Sequence, residues 1–149
     1  MSDSSQPSPN PDGTDPDDRR QSQRGQSDAR AEEIVDRYWR SVWIERDLSV
    51  LGELYTDPTI RHTVAGTRTV SVAQLQHDLG EGLRALRGES FTVDQLTVVN
   101  DTAWLRLTLR AVSVASMSPM AFTWLAQYRL VEGRIAETWA LHEAGLSWT

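Results

Sequence analysis

A chain of 149 residues with a formal net charge of −6 has room for one domain and is poorly suited to a nucleic-acid surface. It contains no cysteine and no lysine, which excludes a disulfide, a thiolate nucleophile or metal site, and a Schiff base on a protein lysine. No apolar run approaches the ~18 residues of a membrane span, so no membrane partner is expected and a cytoplasmic protein is.

Residues 1–30 have Met1 and Ala29 as their only apolar side chains, with Pro7, Pro9, Pro11 and Pro16 among serines and aspartates. Such a stretch buries too little apolar surface to offset its chain entropy, so a disordered tail is expected there. It lacks the apolar core of a signal peptide. The ordered domain is expected over 31–149, and all six tryptophans fall in it. Arginine as the sole basic residue besides histidine resembles the usage of GC-rich bacterial genomes.

The first helix is expected over Asp28–Trp43, where Ile34, Val35, Tyr38, Trp39, Val42 and Trp43 recur at helical spacing, with Ser27 or Asp28 as its cap. A second, short helix fits Leu48–Tyr55, capped by Asp47 and broken at Asp57-Pro58. Thr59–Ala65 alternates as a strand and ends at Gly66. Ser71 caps a third helix, Val72–Leu86, weakened by Gly80 and Gly82. The rest reads as strand: Ser90–Val99, Thr102–Val114, and a hairpin of Met120–Val131 with Arg134–Glu143 across Glu132-Gly133. The order α-α-β-α-β-β-β-β predicts an α+β fold with helices on one face of a curved, mainly antiparallel sheet. No Gly-rich strand-to-helix turn is present, which argues against a nucleotide fold.

Four segments together resemble the nuclear-transport-factor-2-like superfamily, and within it the SnoaL-like polyketide cyclase group. They are the Tyr38-Trp39 helix with Asp47-Leu48, DPTIRHTVAG (57–66), AWLRLTLRA (103–111) and YRLVEGRIAETWALHEAGL (128–146). The resemblance implies a cone-like α+β barrel of three N-terminal helices on a strongly curved sheet. It also implies a hydrophobic pocket for a small apolar organic ligand, no cofactor, and a homodimer formed through the sheet. The family includes cyclases, isomerases, dehydratases, epoxide hydrolases and domains without known chemistry, so the fold alone does not name a reaction. Three departures stand out. Glu143 occupies a position where the cyclases usually carry aspartate. Arg106 is followed by Thr108, not by the aspartate of limonene epoxide hydrolases. The tyrosine and two acids of steroid isomerases have no match.

Glu143 shares a strand face with Trp139 and Leu141, where lost hydration would raise its carboxyl and suit it to acid–base work; the alternative is a solvated strand-end acid. His62 shares a face with Ile60 and Val64 and would shuttle a proton, or else sit as a hydrogen-bonded core histidine. Arg106 lies with Trp104 and Thr108, opposite Leu105, Leu107 and Leu109. That face is either the pocket, with Glu143 or Glu137 as the arginine's partner, or a solvated or subunit-contact surface. His142 points away from Glu143 unless a bulge re-aims it, in which case it replaces Glu143. Trp104, Trp124, Tyr128, Trp139 and Tyr38 would wall a flat apolar ligand or simply pack. Met117, Met120 and Phe122 would form a pocket rim or a dimer contact. His62, His77 and His142 have no metal-ligand spacing, so no metal is expected.

Two readings follow: a cofactor-free enzyme for cyclisation, isomerisation or hydration, or a non-catalytic ligand-binding or protein-interaction module. Convergence of Glu143, His62 and Arg106 around one cavity discriminates between them, and in the first reading Glu143→Gln is expected to abolish turnover.

Overall fold

The computed structural model describes residue 13 and residues 15–145. Residues 1–12 and 14 of the expected tail lie outside the described residues, as do 146–149, which include the last residue of the fourth matching segment.

Helix α1 runs from Pro16 to Tyr38. Its start lies inside the stretch expected to be a disordered tail. Asp15 caps it by accepting from the Asp17 amide, Pro16 opens it, and Asp17 and Asp18 complement the dipole of its first turn. Two contacts hold this part against the sheet's turns. Ser27 Oγ donates to Asp101 Oδ1 at 2.7 Å, and the Arg30 guanidinium lies so close over Gly133 that a Cβ there would sit 2.8 Å from its Nε. Extending a helix already packed at 31–38 fixes one residue per bond gained, whereas starting one does not.

The helix then widens into a π-turn, Trp39–Ile44, where the Glu45 amide donates to the Arg40 carbonyl. The wider turn stacks the Trp39 and Trp43 indoles 5.7 Å apart at 21°. A 3₁₀ turn, Leu48–Val50, leads into α2, Leu51–Leu54, with Asp47 capping through the Ser49 amide as expected. Tyr55, expected as helical, begins β1, Tyr55–Thr63. The chain turns at Gly66 into β2, Gly66–Val70, a strand the sequence reading missed. Ser71 Oγ caps α3, Val72–Arg84. The glycines that weakened this helix on paper are where it approaches its neighbours: a Cβ on Gly80 would stand 3.4 Å from Leu48.

Four long strands follow: β3, Leu86–Val99; β4, Thr102–Ser113; β5, Pro119–Val131; and β6, Arg134–Ala144. The six-stranded sheet has the order β2-β1-β6-β5-β4-β3 and is antiparallel except where β1 runs parallel to β6. Irregularities at Arg87/Ser90, Val93/Gln95 and Arg129/Leu130 bend it around the helices. The result is the α+β, cone-like architecture anticipated above.

Parity sorts the side chains into two faces. Ala103, Leu105, Leu107 and Leu109 of β4 point toward the helices with Trp124, Ala126 and Tyr128 of β5, their register partners on neighbouring strands. This inner face and the apolar sides of α1, the π-turn, α2 and α3 form the core. Trp104, Arg106, Leu125, Gln127, Trp139 and Leu141 have the opposite parity and stand on the outer face, which no helix of the described residues covers.

Candidate functional site

The inner chamber, between helices and sheet, is filled with rings. Trp39 makes edge contacts with Tyr38 at 5.5 Å and with Trp124 at 5.4 Å, and its Nε1 donates to the Tyr128 hydroxyl at 3.2 Å. Trp43 Nε1 donates to the Tyr38 hydroxyl at 3.4 Å, and Tyr55 meets Tyr38 edge-on at 5.7 Å. Burial pushes the phenols of Tyr38, Tyr55 and Tyr128 above the ordinary tyrosine value, and for Tyr55 and Tyr128 the neighbouring phenols add to the rise. Of the proposed ligand wall, Tyr38, Tyr128 and Trp124 therefore lie on this inner side and fasten α1 to the sheet. His142 has the same parity but is exposed, stacked on Trp124 at 4.4 Å and 16°. Its parity is opposite to that of Glu143, as alternation requires.

The outer face holds a trough of about 560 Å³. Register lays out its floor. One row reads His62, Trp139, Gln127, Trp104 across β1, β6, β5 and β4; the next reads Leu141, Leu125, Arg106, Gln95 across β6, β5, β4 and β3. All eight line the trough. His62, Arg106, Trp104 and Trp139 thus line one trough, with His62 and Arg106 at opposite corners of it, about 16 Å apart between Cα atoms by strand spacing and rise. Glu143 is not among the lining residues. It is exposed in the following row, which by strand spacing and rise puts its Cα about 12 Å from that of Arg106. The expected triple of Glu143, His62 and Arg106 does not converge, so the enzymatic reading fails in the form that rested on it.

What converges on His62 is a different acid. Its Nε2 lies 2.7 Å from Glu137 Oε1, and its Nδ1 lies 2.8 Å from Thr67 Oγ1. Glu137 Oε2 accepts from Arg129 Nε at 2.9 Å and sits 2.9 Å from Arg129 Nη2. Trp139 stacks on the imidazole at 4.8 Å and 4°. The hydrogen bond to His62, then Arg129, holds the Glu137 carboxyl below its ordinary value of 4.5. Sequence reasoning had named Glu137 only as a possible partner of Arg106. A signal was present, since Glu137 shares parity with Trp139; the parallel pairing of β1 with β6 was not visible.

The lowered carboxyl carries a pH prediction. A group whose folded value lies below its unfolded one contributes stability above the unfolded value and loses it as pH falls through the folded one. Below pH 4.5, the unfolding free energy should fall on acidification more steeply in the wild type than in Glu137→Gln. Urea melts at stepped pH measure both slopes; equal slopes would show that the carboxyl's partners do not act on its ionisation.

Among the described residues no group of three or more His, Cys, Asp or Glu is placed to hold a metal ion, and no helix is long and apolar enough to cross a membrane. The model of the SnoaL-like polyketide cyclase family matches residues 33–144. No curated protein sequence matches the chain. Among solved structures the chain is similar to a SnoaL-like polyketide cyclase from Agrobacterium tumefaciens, at TM-score 0.67 and 14% identity over 76% of this chain and 91% of that one. A SnoaL-like protein from Jannaschia superposes at TM-score 0.71 with 13% identity, over 78% and 87%. A Catenulispora acidiphila protein with a ketosteroid isomerase-like fold does so at TM-score 0.63 and 16% identity, over 73% and 84%. At these identities the likeness carries the fold alone.

Proposed function

Because the chain belongs to the SnoaL-like polyketide cyclase family, we propose that it binds a flat apolar metabolite in the outer-face trough and moves a proton on it through His62, without a cofactor. The observation that carries this reading is an imidazole in the wall of an apolar trough, hydrogen-bonded to a carboxylate that is itself held by Arg129. An imidazole is able to accept and return a proton, and the Glu137 carboxylate 2.7 Å away would stabilise the imidazolium that results. Trp139 and Trp104 are two strands apart, about 9.6 Å, with Gln127 between them. Cyclisation, isomerisation and hydration of a carbonyl-bearing compound all need such a proton transfer.

The test uses 2-tetralone, a flat apolar ketone, in D₂O. The wild type should accelerate exchange of the protons beside the carbonyl, followed by NMR. His62→Gln should lower that acceleration by about 100-fold or more with the fold retained. Glu143→Gln, which the sequence reading expected to abolish turnover, should leave it intact, because Glu143 lies outside the trough lining. An His62→Gln variant as fast as the wild type would remove His62 from the chemistry.

A second reading rests on exposure. Trp104, Leu125 and Leu141 are 54%, 45% and 55% exposed on one uncovered face, which suits a second copy of the chain packed sheet to sheet. Sedimentation at micromolar concentration should give a dimer, and Leu125→Glu a monomer; a wild type that sediments as a monomer would dismiss this reading.

A further inference from the structure

Arg61 has inner parity on β1. Register sets it beside Thr138 of β6, and Thr138 beside Tyr128 of β5. Arg61 is half-buried, and among the described residues no hydrogen bond or ion pair engages its guanidinium. Its register partner on β2, Arg68, reaches Asp78 at 3.6 Å. Thr138 is 6% exposed, and its Oγ1 is buried without a hydrogen-bond partner. We propose that Arg61 and Thr138 form a site for the carboxylate of a small flat acid, on the helix-covered side of the sheet. The site is separate from the outer-face trough and does not rest on the role given to His62.

The two side chains call for the same kind of group. A guanidinium has only donors to offer, and a threonine hydroxyl is able to donate as well, so a negatively charged acceptor with two oxygens satisfies both. A water would complete Thr138 and leave the charge of Arg61 unmatched. Burial raises the phenols of Tyr38, Tyr55 and Tyr128, and the charge of Arg61 reaches all three and works against that rise. That charge is therefore felt inside the chamber. The phenols do not supply the missing anion, because each is held in its neutral form.

Room for the rest of the acid lies next to the pair. The inward side chains of β6 are Thr138, Ala140 and His142, and they pass from buried through half-buried to exposed. Rings stand at both ends of this run, Tyr128 opposite Thr138 and Trp124 opposite His142, about 13 Å apart along the strand. Between them register places only two methyl groups, those of Ala140 and Ala126. The Trp39 indole, bonded to the Tyr128 hydroxyl and edge-on to Trp124, spans the gap on the β5 side, where Ala126 is buried. Ala140 stays half-buried, so a recess runs over it from the His142 end toward Thr138. A flat ring seated there would meet the Ala140 methyl and the Trp39 edge, with its carboxylate on Arg61 and Thr138.

Benzoate is the probe and benzamide its uncharged counterpart, titrated calorimetrically at about pH 7, where a carboxylate is ionised. The wild type is expected to bind benzoate saturably and benzamide at least about tenfold more weakly. Arg61→Gln should weaken benzoate by at least about tenfold, and Arg61→Lys by less, because lysine keeps the charge and loses the paired N–H geometry. Ala140→Val leaves both anchors in place and fills the recess, so it should block benzoate as well. Thr138→Val removes the unpaired hydroxyl; it should melt no lower than the wild type while binding benzoate more weakly. 2-Tetralone, the probe of the trough, should not compete with benzoate. The proposal is overturned by a folded wild type without saturable benzoate binding, by benzamide binding as tightly as benzoate, or by an unmoved benzoate affinity in folded Arg61→Gln. If Arg61→Gln does not fold, an unmoved affinity in Thr138→Val overturns it instead. Displacement of benzoate by 2-tetralone would put the anion in the trough and overturn it too, whereas benzoate binding with no ketone exchange would uphold this site and sink only the reading of His62.

Discussion

On alkaline titration the tyrosines of the folded protein are expected to release their protons at higher pH than free phenols do. The chain has no lysine and no cysteine, and arginine stays charged to about pH 12. That leaves the three tyrosines, Tyr38, Tyr55 and Tyr128, and each is raised above the ordinary phenol value, burial being the largest cause. The sign follows from linkage. A folded value raised above the unfolded one leaves stability fully present below the unfolded value, near pH 10, and removes it as pH climbs from there toward the folded value. Each phenol that ionises only on unfolding contributes about 1.4 kcal/mol of lost stability per pH unit, so three together contribute at most about 4. A domain with stability of ordinary size should therefore unfold cooperatively within about two to three pH units above pH 10. Absorbance at 295 nm and far-ultraviolet ellipticity, recorded on one alkaline titration, should change together. Phenolate absorbance rising near pH 10 while ellipticity holds would show that at least one of these hydroxyls is open to solvent.

Trp39→Ala should destabilise the protein by about 3–5 kcal/mol, and Trp104→Ala by less than about 1. Trp39 is 1% exposed and touches Tyr38, Trp43, Phe91 and Trp124. Removing its indole opens a cavity where α1 meets the sheet and leaves the buried Tyr128 hydroxyl without the Trp39 donor. Trp104 is 54% exposed on the outer face, so its loss removes little buried area. Thermal melts should show a fall of more than about 10 °C for Trp39→Ala and a small one for Trp104→Ala. On the proposed reading the ranking reverses for ligand binding, because Trp104 lines the trough and Trp39 does not. Two variants with equal melting temperatures would mean that the inner chamber is not the core.

Strand parity made most of the inner and outer faces legible before the structure. It placed Leu105, Leu107 and Leu109 opposite Trp104 and Arg106, and it separated His142 from Glu143; both divisions hold in the sheet. Parity could not say which face the helices cover, because an apolar row and a mixed row are each compatible with either side of a curved sheet. That choice places Trp104 and Trp139 in the trough and sends Trp124, Tyr128 and Tyr38 into the packed chamber. The missed strand β2 has a similar cause. Gly66–Val70 is exposed except at Val70, so its short alternation carried little apolar signal, and pairing with β1 is what makes it a strand.

The local chemistry of the chain was sufficient for the α+β class, for the capping of α3 by Ser71 and for a family-level match, since periodicity, caps and turn residues act over a few neighbours. The partner of His62 needed the tertiary structure. Residues 62 and 137 meet only because β1 inserts parallel beside β6, closing the sheet order as β2-β1-β6. Register between strands far apart in sequence is set by which faces must bury apolar surface together, a property of the whole core and not of either segment. A conspicuous acid at the end of the last strand, Glu143, thus falls outside the trough, while an inconspicuous one six residues earlier, Glu137, holds the histidine.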